Sequence, residues 1–265
     1  MSFVHLHTHT EYSILDGLGK PADFIEAAYQ DGQPAIAVTD HGTPASGLPL
    51  VQAARALRDR LIADGTLESG APMPVKPILG IEAYLSIGSR HERNEITVSS
   101  DDLVVEDSEG KSVSGTKKKR YKHLTLLAYT RTGWQNLLRL HGKSYETFFY
   151  KPRMDYELLA EHSEGLIALT GCLGGPVSGP LHRGEDEEAR KNLRRLCDIF
   201  GRDNVYVEIM DHRVDGERST MRKLIGLAEE MDLPLVATND CHYAHEHQAE
   251  AHDAWLALQS SRGSD

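Results

Sequence analysis

The chain is 265 residues long and 40% hydrophobic, enough to bury one large core, and no apolar run in it reaches membrane-spanning length. Its formal net charge of −11 argues against a basic face as its means of holding nucleic acid, although bound divalent cations would add positive charge that this count omits. Three cysteines, Cys172, Cys197 and Cys241, give no paired disulfide framework, and Met1-Ser2 leads straight into a strand pattern, so the expected setting is a reducing cytoplasm, without a signal peptide.

In chain order, Phe3 to Leu6 reads as a short strand, followed by His7-Thr8-His9 where a loop should begin. Side chains at i and i+2 of an extended segment point the same way, so His7 and His9 can grip one cation, with Asp16 returning from the loop to join them; His5 is left out of the set. A helix starts at Pro21 and stops at Asp31-Gly32. Ala35 to Val38 is a buried-type strand ending at Thr39-Asp40-His41-Gly42, and a second helix covers Leu48 to Ala63. The third strand, Pro77 to Tyr84, carries Glu82 inside an apolar run, where a charge is expensive unless it is paired or metal-bound.

The stretch from Ser89 to Lys122 is acidic, then Gly/Ser-containing, then basic, and reads as a long, partly disordered excursion. A fourth strand begins at His123, and Thr132 to Leu140 looks helical. Tyr145 to Asp155 is aromatic-rich and contains Lys151 and Arg153, a candidate surface for a partner or a substrate strand, with Phe148 and Phe149 expected to pack under a loop. Beyond a short helix over Tyr156 to His162, a fifth strand, Leu166 to Thr170, ends at Gly171-Cys172. The helix over Glu185 to Phe200 places Cys197 on its apolar stripe. Val205 to Ile209 and Leu235 to Thr238 are further strands around a helix over Ser219 to Met231, the last strand leading into Asn239-Asp240-Cys241-His242, and a final helix begins near Glu246. Strands alternating with helices predict a parallel sheet, and about seven of them favour a barrel over a doubly wound open sheet, because only a closed ring brings so many strand ends to one mouth.

The candidate ligands are His7, His9, Asp16, His41, Glu82, His123, Cys172, Asp240 and His242. Nitrogen, oxygen and sulfur donors in this number suit zinc, or manganese and iron, and exceed what one tetrahedral ion takes, so two or three divalent metals are implied. Such a site binds phosphate and activates water for attack on it, which makes metal-assisted phosphoester hydrolysis the reaction class, with Asp240, His242, Asp16 and Glu82 the catalytic candidates.

The motifs His7-Thr8-His9-Thr10-Glu11-Tyr12-Ser13 with Leu15-Asp16-Gly17, Thr39-Asp40-His41-Gly42, Gly80-Ile81-Glu82-Ala83-Tyr84, His123-Leu124-Thr125, Thr170-Gly171-Cys172 and Asn239-Asp240-Cys241-His242-Tyr243 resemble the PHP (polymerase and histidinol phosphatase) domain. More narrowly, they resemble the PHP domain at the start of the bacterial C-family replicative polymerases, the polymerase III alpha subunits. The resemblance implies a distorted seven-stranded β/α (TIM-like) barrel over residues 1–259, and a trinuclear centre whose nine ligand positions are all filled here. It further implies a 3'-5' exonuclease that proofreads DNA replication, working on a single-stranded 3' end beside the domains of a DNA-directed DNA polymerase and other replisome subunits. Asp40, next to a ligand, is expected to orient a histidine. Residues 260–265 read as a linker, and the chain is either a domain of a polymerase or a free-standing relative. The alternatives are a phosphatase of small phosphomonoesters and a non-catalytic, metal-stabilised brace or docking module.

Overall fold

The computed structural model describes residues 3–93, 96–98, 117–119 and 121–260. Its elements begin with α1 (Pro21–Gln30), β1 (Ala35–Val38), α2 (Gly47–Ala63), β2 (Lys76–Ser86), β3 (Ile96–Val98), β4 (Lys117–Lys119), β5 (Tyr121–Ala128) and α3 (Arg131–Glu146). They continue with β6 (Arg153–Met154), α4 (Tyr156–Glu161), β7 (Leu166–Leu169), α5 (Ser178–His182), α6 (Asp186–Phe200), β8 (Val205–Ile209), α7 (Glu217–Glu230), β9 (Leu235–Ala237) and α8 (Ala249–Ser260). Among the described residues the main sheet has seven strands, which bears out the α/β class. The chain divides into two compact units, Met1–Ile81 with Asp240–Asp265, and Glu82–Asn239, and β2 passes from one into the other. No helix among the described residues is long and apolar enough to cross a membrane.

In the first unit α1 opens with Pro21, whose missing N–H is no loss in a first turn, and Asp23 accepts a hydrogen bond from the Lys20 amide at 3.0 Å. The buried stripe Phe24, Ile25 and Ala28 packs with Leu50, Ala54, Leu57 and Leu61 of α2 and with Ile36 and Val38 of β1. Strand β1 pairs in parallel with the first half of β2, Ala35 opposite Lys76. The segment from Phe3 to Leu6 departs from the expected strand: it carries no ladder, although the His5 carbonyl accepts from the Ala37 amide at 2.8 Å. The chain is held beyond it by isolated parallel bridges, Thr8 to Cys241 and Thr10 to Gly19.

In the second unit β2 neighbours β5, then β7, β8 and β9 follow in order, and β6 pairs with β2. Leu124 and Leu126 of β5, Leu166 and Ala168 of β7, and Val205 and Val207 of β8 are fully buried, as are Leu193 and Leu196 of α6, and Cys197 packs beside them. The sheet is mixed rather than all parallel: β5 runs antiparallel to β7, Thr125 opposite Leu169. That reversal explains why His123, near the start of β5, and Cys172, just after β7, come to the same edge, since the start of an antiparallel strand lies level with the end of its neighbour. The β5 strand begins at Tyr121, two residues before the expected start, and β6 and α5 were too short to carry a periodic signal.

Strands β3 and β4 form an antiparallel ribbon with Ile96 opposite Lys119, inside the stretch read as an excursion. Residues 99–116, on which the expectation of disorder chiefly falls, lie outside the described residues, as do 261–265 of the expected linker. Phe148 and Phe149 do not share the buried fate expected of them: Phe148 is exposed and Phe149 half-buried.

Candidate metal centre

In the first unit two overlapping clusters form around His9. One ligand atom from each of His9, Asp16, His41 and His242 lies within 4.8 Å of all the others, and the same holds for His7, His9 and Asp240. Asp16 Oδ2 stands 2.7 Å from His41 Nε2 and 3.1 Å from His242 Nε2, and Asp240 Oδ1 stands 3.0 Å from His9 Nε2 and 3.3 Å from His7 Nε2. His7 and His9 thus share a direction, as the i, i+2 spacing required, whereas His5, which a regular strand would put on the same face, lies in a segment with no ladder and places Nδ1 3.4 Å from the Cys241 sulfur.

The proton on His9 can be assigned from its neighbours. Asp40 is fully buried and accepts from the Thr10 amide at 2.7 Å, the Thr10 hydroxyl at 2.9 Å, the Ser13 hydroxyl at 2.7 Å and the Ser46 hydroxyl. A carboxylate only accepts, so the single Ser13 proton is committed to Asp40, and Ser13 Oγ accepts from His9 Nδ1 at 3.0 Å and from the His41 amide at 3.1 Å. His9 therefore carries its proton on Nδ1 and presents the Nε2 lone pair to the cluster. Asp40 orients a histidine as expected, but through Ser13. His242 is fixed in the same sense, its Nδ1 donating to the Asp240 carbonyl at 2.7 Å.

Each approach of an Nε2 lone pair to a carboxylate oxygen needs positive charge between the two atoms, a proton or a shared cation. Burial works against charge on Asp16, but the hydrogen bonds and charges of His242 and His41 hold its carboxyl well below the usual range. For Asp240 burial is likewise opposed and overcome by His7, His9 and His242. Burial would lower the His242 pKa, but Asp16 and Asp240 raise it. Convergent lone pairs, oriented rings and ionised carboxylates are what a divalent cation requires, so the residues present fit the metals expected. Cys241 is not part of this set: its sulfur stands against His5 Nδ1 at 3.4 Å, and burial and then the charge of Asp240 push its thiol up to about 11.

In the second unit Glu82 is 1% exposed, with Oε1 3.0 Å from His123 Nδ1 and 4.0 Å from the Cys172 sulfur. The antiparallel register brings the start of β5 beside the end of β7, and the His123 amide donates to Gly174 in the loop after Cys172 at 3.1 Å.

The model of the PHP domain family matches residues 5–212. The chain belongs to the PHP domain family. The DNA polymerase III subunit alpha of Saccharopolyspora erythraea is 40% identical over 263 residues, 98% of this chain and 20% of that protein. That of Treponema pallidum is 37% identical over 263 residues, 99% of this chain and 20% of the relative, so this PHP domain spans about a fifth of the length of the curated relatives it matches. Among solved structures, an amidohydrolase from Chromobacterium violaceum aligns over 95% of this chain and 96% of its own with 14% identity and a TM-score of 0.47, too distant to bear on function.

Several residues that shape the PHP site were not singled out as sequence. Ser13 was quoted within a motif without a role. Buried His252 of α8 places Nε2 2.9 Å from the Asp16 carbonyl and so ties down the loop that carries that carboxylate. Gly17 in the same loop has no room for a side chain, because a Cβ there would stand 2.1 Å from the Thr10 carbonyl oxygen. Glu208, 1% exposed, accepts from the Gly171 amide at 2.8 Å and the Thr238 hydroxyl at 2.6 Å, and so fixes the turn that carries Cys172. A carboxylate inside the apolar run Val205–Ile209 is the same signal that drew attention to Glu82 and would have found it. His212 bridges Glu217 Oε1 and the Asn239 carbonyl, at 2.8 Å each.

Proposed function

We propose that this PHP domain is the N-terminal portion of a bacterial DNA polymerase III alpha subunit and acts as a metal-dependent 3'-5' exonuclease on single-stranded DNA during replication. The observation that carries the reading is the two-cluster arrangement around His9, in which oriented imidazoles face ionised Asp16 and Asp240. Its similarity to polymerase III alpha subunits over 98% of the chain supports DNA as the substrate class.

In this reading His7, His9 and Asp240 hold one cation, and His9, Asp16, His41 and His242 frame a second. Glu82, His123 and Cys172 offer carboxylate, imidazole and thiol for a further ion. Zinc suits the nitrogen and sulfur donors best, and manganese or iron suits the oxygen-rich portion. Divalent ions so held supply Lewis acidity for phosphodiester hydrolysis. The protein's own part is to keep the donor atoms aimed. Ser13 and Asp40 fix the His9 tautomer, the Asp240 carbonyl fixes that of His242, and His252 anchors the Asp16 loop.

The test is an assay on 3'-labelled single-stranded DNA combined with elemental analysis of the purified chain. Release of labelled mononucleotide, with two or three divalent ions per chain and no turnover of histidinol phosphate, is expected. Rapid turnover of the small monoester with no attack on DNA would replace this reading with that of a phosphatase, and metal without either activity would leave a structural module.

A further inference from the structure

Within the second unit, a run of rings and cations extends from the Glu82–His123 pair. The Tyr121 ring stacks on His123 at 5.9 Å, Tyr84 meets both rings edge-on at 4.7 and 5.7 Å, and Lys151 Nζ lies 5.2 Å from the Tyr84 ring centre. Beyond Lys151, the Phe149 ring has two guanidiniums over it, Arg93 at 5.2 Å and Arg153 at 5.0 Å. Phe148 and Tyr150, on either side of Phe149 in the chain, are 55% and 61% exposed.

Arg153 is the unusual member. It is 1% exposed and donates through Nη2 to the Arg90 carbonyl at 3.1 Å, while its buried Nε and Nη1 have no hydrogen-bond partner among the described residues. Asp155 does not supply one: it accepts instead from the Arg90 amide, the Arg90 guanidinium and the Leu158 amide. Burial and the like charge of Arg93 both weaken the hold of Arg153 on its proton. Two cations about one ring, one of them with unused buried donors, call for an anion, and guanidinium geometry favours a phosphate. Exposed aromatics beside a phosphate-binding group are how single strands are held without regard to sequence.

We propose that this face binds the DNA strand behind its 3' end, Arg93 and Arg153 taking a backbone phosphate and Phe148 and Tyr150 stacking on bases. The inference rests on the exonuclease reading and adds to it the path of the substrate. The strand runs from the Glu82–His123 pair past Lys151, whose ammonium neutralises a phosphate on the way. A half-buried Phe149 ring gives way to admit the anion to Arg153.

The test is fluorescence anisotropy of the whole chain with a fluorescein-labelled phosphorothioate oligothymidylate, which resists cleavage. The double variant Phe148→Ala/Tyr150→Asn should bind about tenfold more weakly, the effect of losing one to two stacked bases. Asparagine is chosen because residue 150 has a φ of 61°, which it tolerates. Arg93→Ala should weaken binding and reduce the slope of log Kd against log salt by about 0.7, the share of one single-strand phosphate. Wild-type affinity and slope in these variants, in a chain that degrades 3'-labelled DNA, would overturn the path and leave the exonuclease standing. A wild-type chain that neither binds nor degrades the strand would overturn both.

Discussion

Replacing Ser13 by alanine tests whether the centre is built by its supporting hydrogen bonds as well as by its ligands. The hydroxyl, 1% exposed, gives its proton to Asp40 at 2.7 Å and accepts from His9 Nδ1 at 3.0 Å and the His41 amide at 3.1 Å. Losing a hydrogen bond to a buried carboxylate costs about 1.5–3 kcal/mol, and a part-buried amide deprived of its acceptor adds about 1 kcal/mol. Partial relaxation brings the expected total to about 3 kcal/mol, a fall of roughly 10 °C in melting temperature for a domain of this size. Metal affinity should fall independently by about 10- to 100-fold, because nothing then fixes the His9 tautomer. Calorimetry of chelator-treated protein reads the first effect, and zinc titration against a chromophoric chelator reads the second. Ser13→Thr keeps the hydroxyl and should recover both. If Ser13→Ala lost stability yet bound zinc as tightly as wild type, the orientation of His9 through Ser13 would be refuted.

Three further outcomes are expected. Chelation should lower the melting temperature, by about 4 kcal/mol of stability where free metal had exceeded its Kd a thousandfold, and a chelator-insensitive transition in calorimetry would speak against a folded-state metal. Asp240→Asn should abolish nucleotide release from 3'-labelled strands while near-native circular dichroism persists, because it removes a negative donor at 3.0 Å from His9 without touching the apolar core; full activity would exclude Asp240 from the centre. Burial would raise the Asp155 pKa, but hydrogen bonds from the Arg90 and Leu158 amides and the Arg90 guanidinium hold it below the usual range. Its contribution is therefore complete above about pH 4 and is lost as pH falls through the lower folded value. Asp155→Asn, about 1–2 kcal/mol less stable at neutral pH through loss of the charge-assisted hydrogen bonds to Arg90, should show a flatter loss in urea titrations below pH 4, and parallel curves would contradict this.

The fold was legible where an element was long enough to repeat its pattern. The stripe of α2 and the apolar runs of β1 and β2 each carry enough buried positions to announce their period, and Pro21, Gly32 and Gly201 mark ends that the structure keeps. Strand direction was not legible, because apolar alternation is the same whichever way a strand runs. The antiparallel pairing of β5 with β7 is set by the connection through α3, β6 and α4, which no local pattern encodes. The one trace of it in the sequence was that His123 stands at the start of its strand while Cys172 follows its own.

The centre shows the same asymmetry between chemistry and support. Ligand candidates stand out because histidine and acid at strand ends are costly and conspicuous, whereas a serine that passes orientation from Asp40 to His9 looks like any loop hydroxyl. Its role appears only when proton counts are closed around it: Asp40 can only accept, Ser13 has one proton to give, and His9 must supply the other. The same closure shows that His252 and the Asp240 carbonyl act on the backbone and on ring nitrogens rather than on a ligand atom. Because the two clusters share His9, a change in its tautomer reaches both at once, and substitutions at Ser13 and Asp40 should therefore be non-additive in metal affinity, either one alone removing most of what the pair removes.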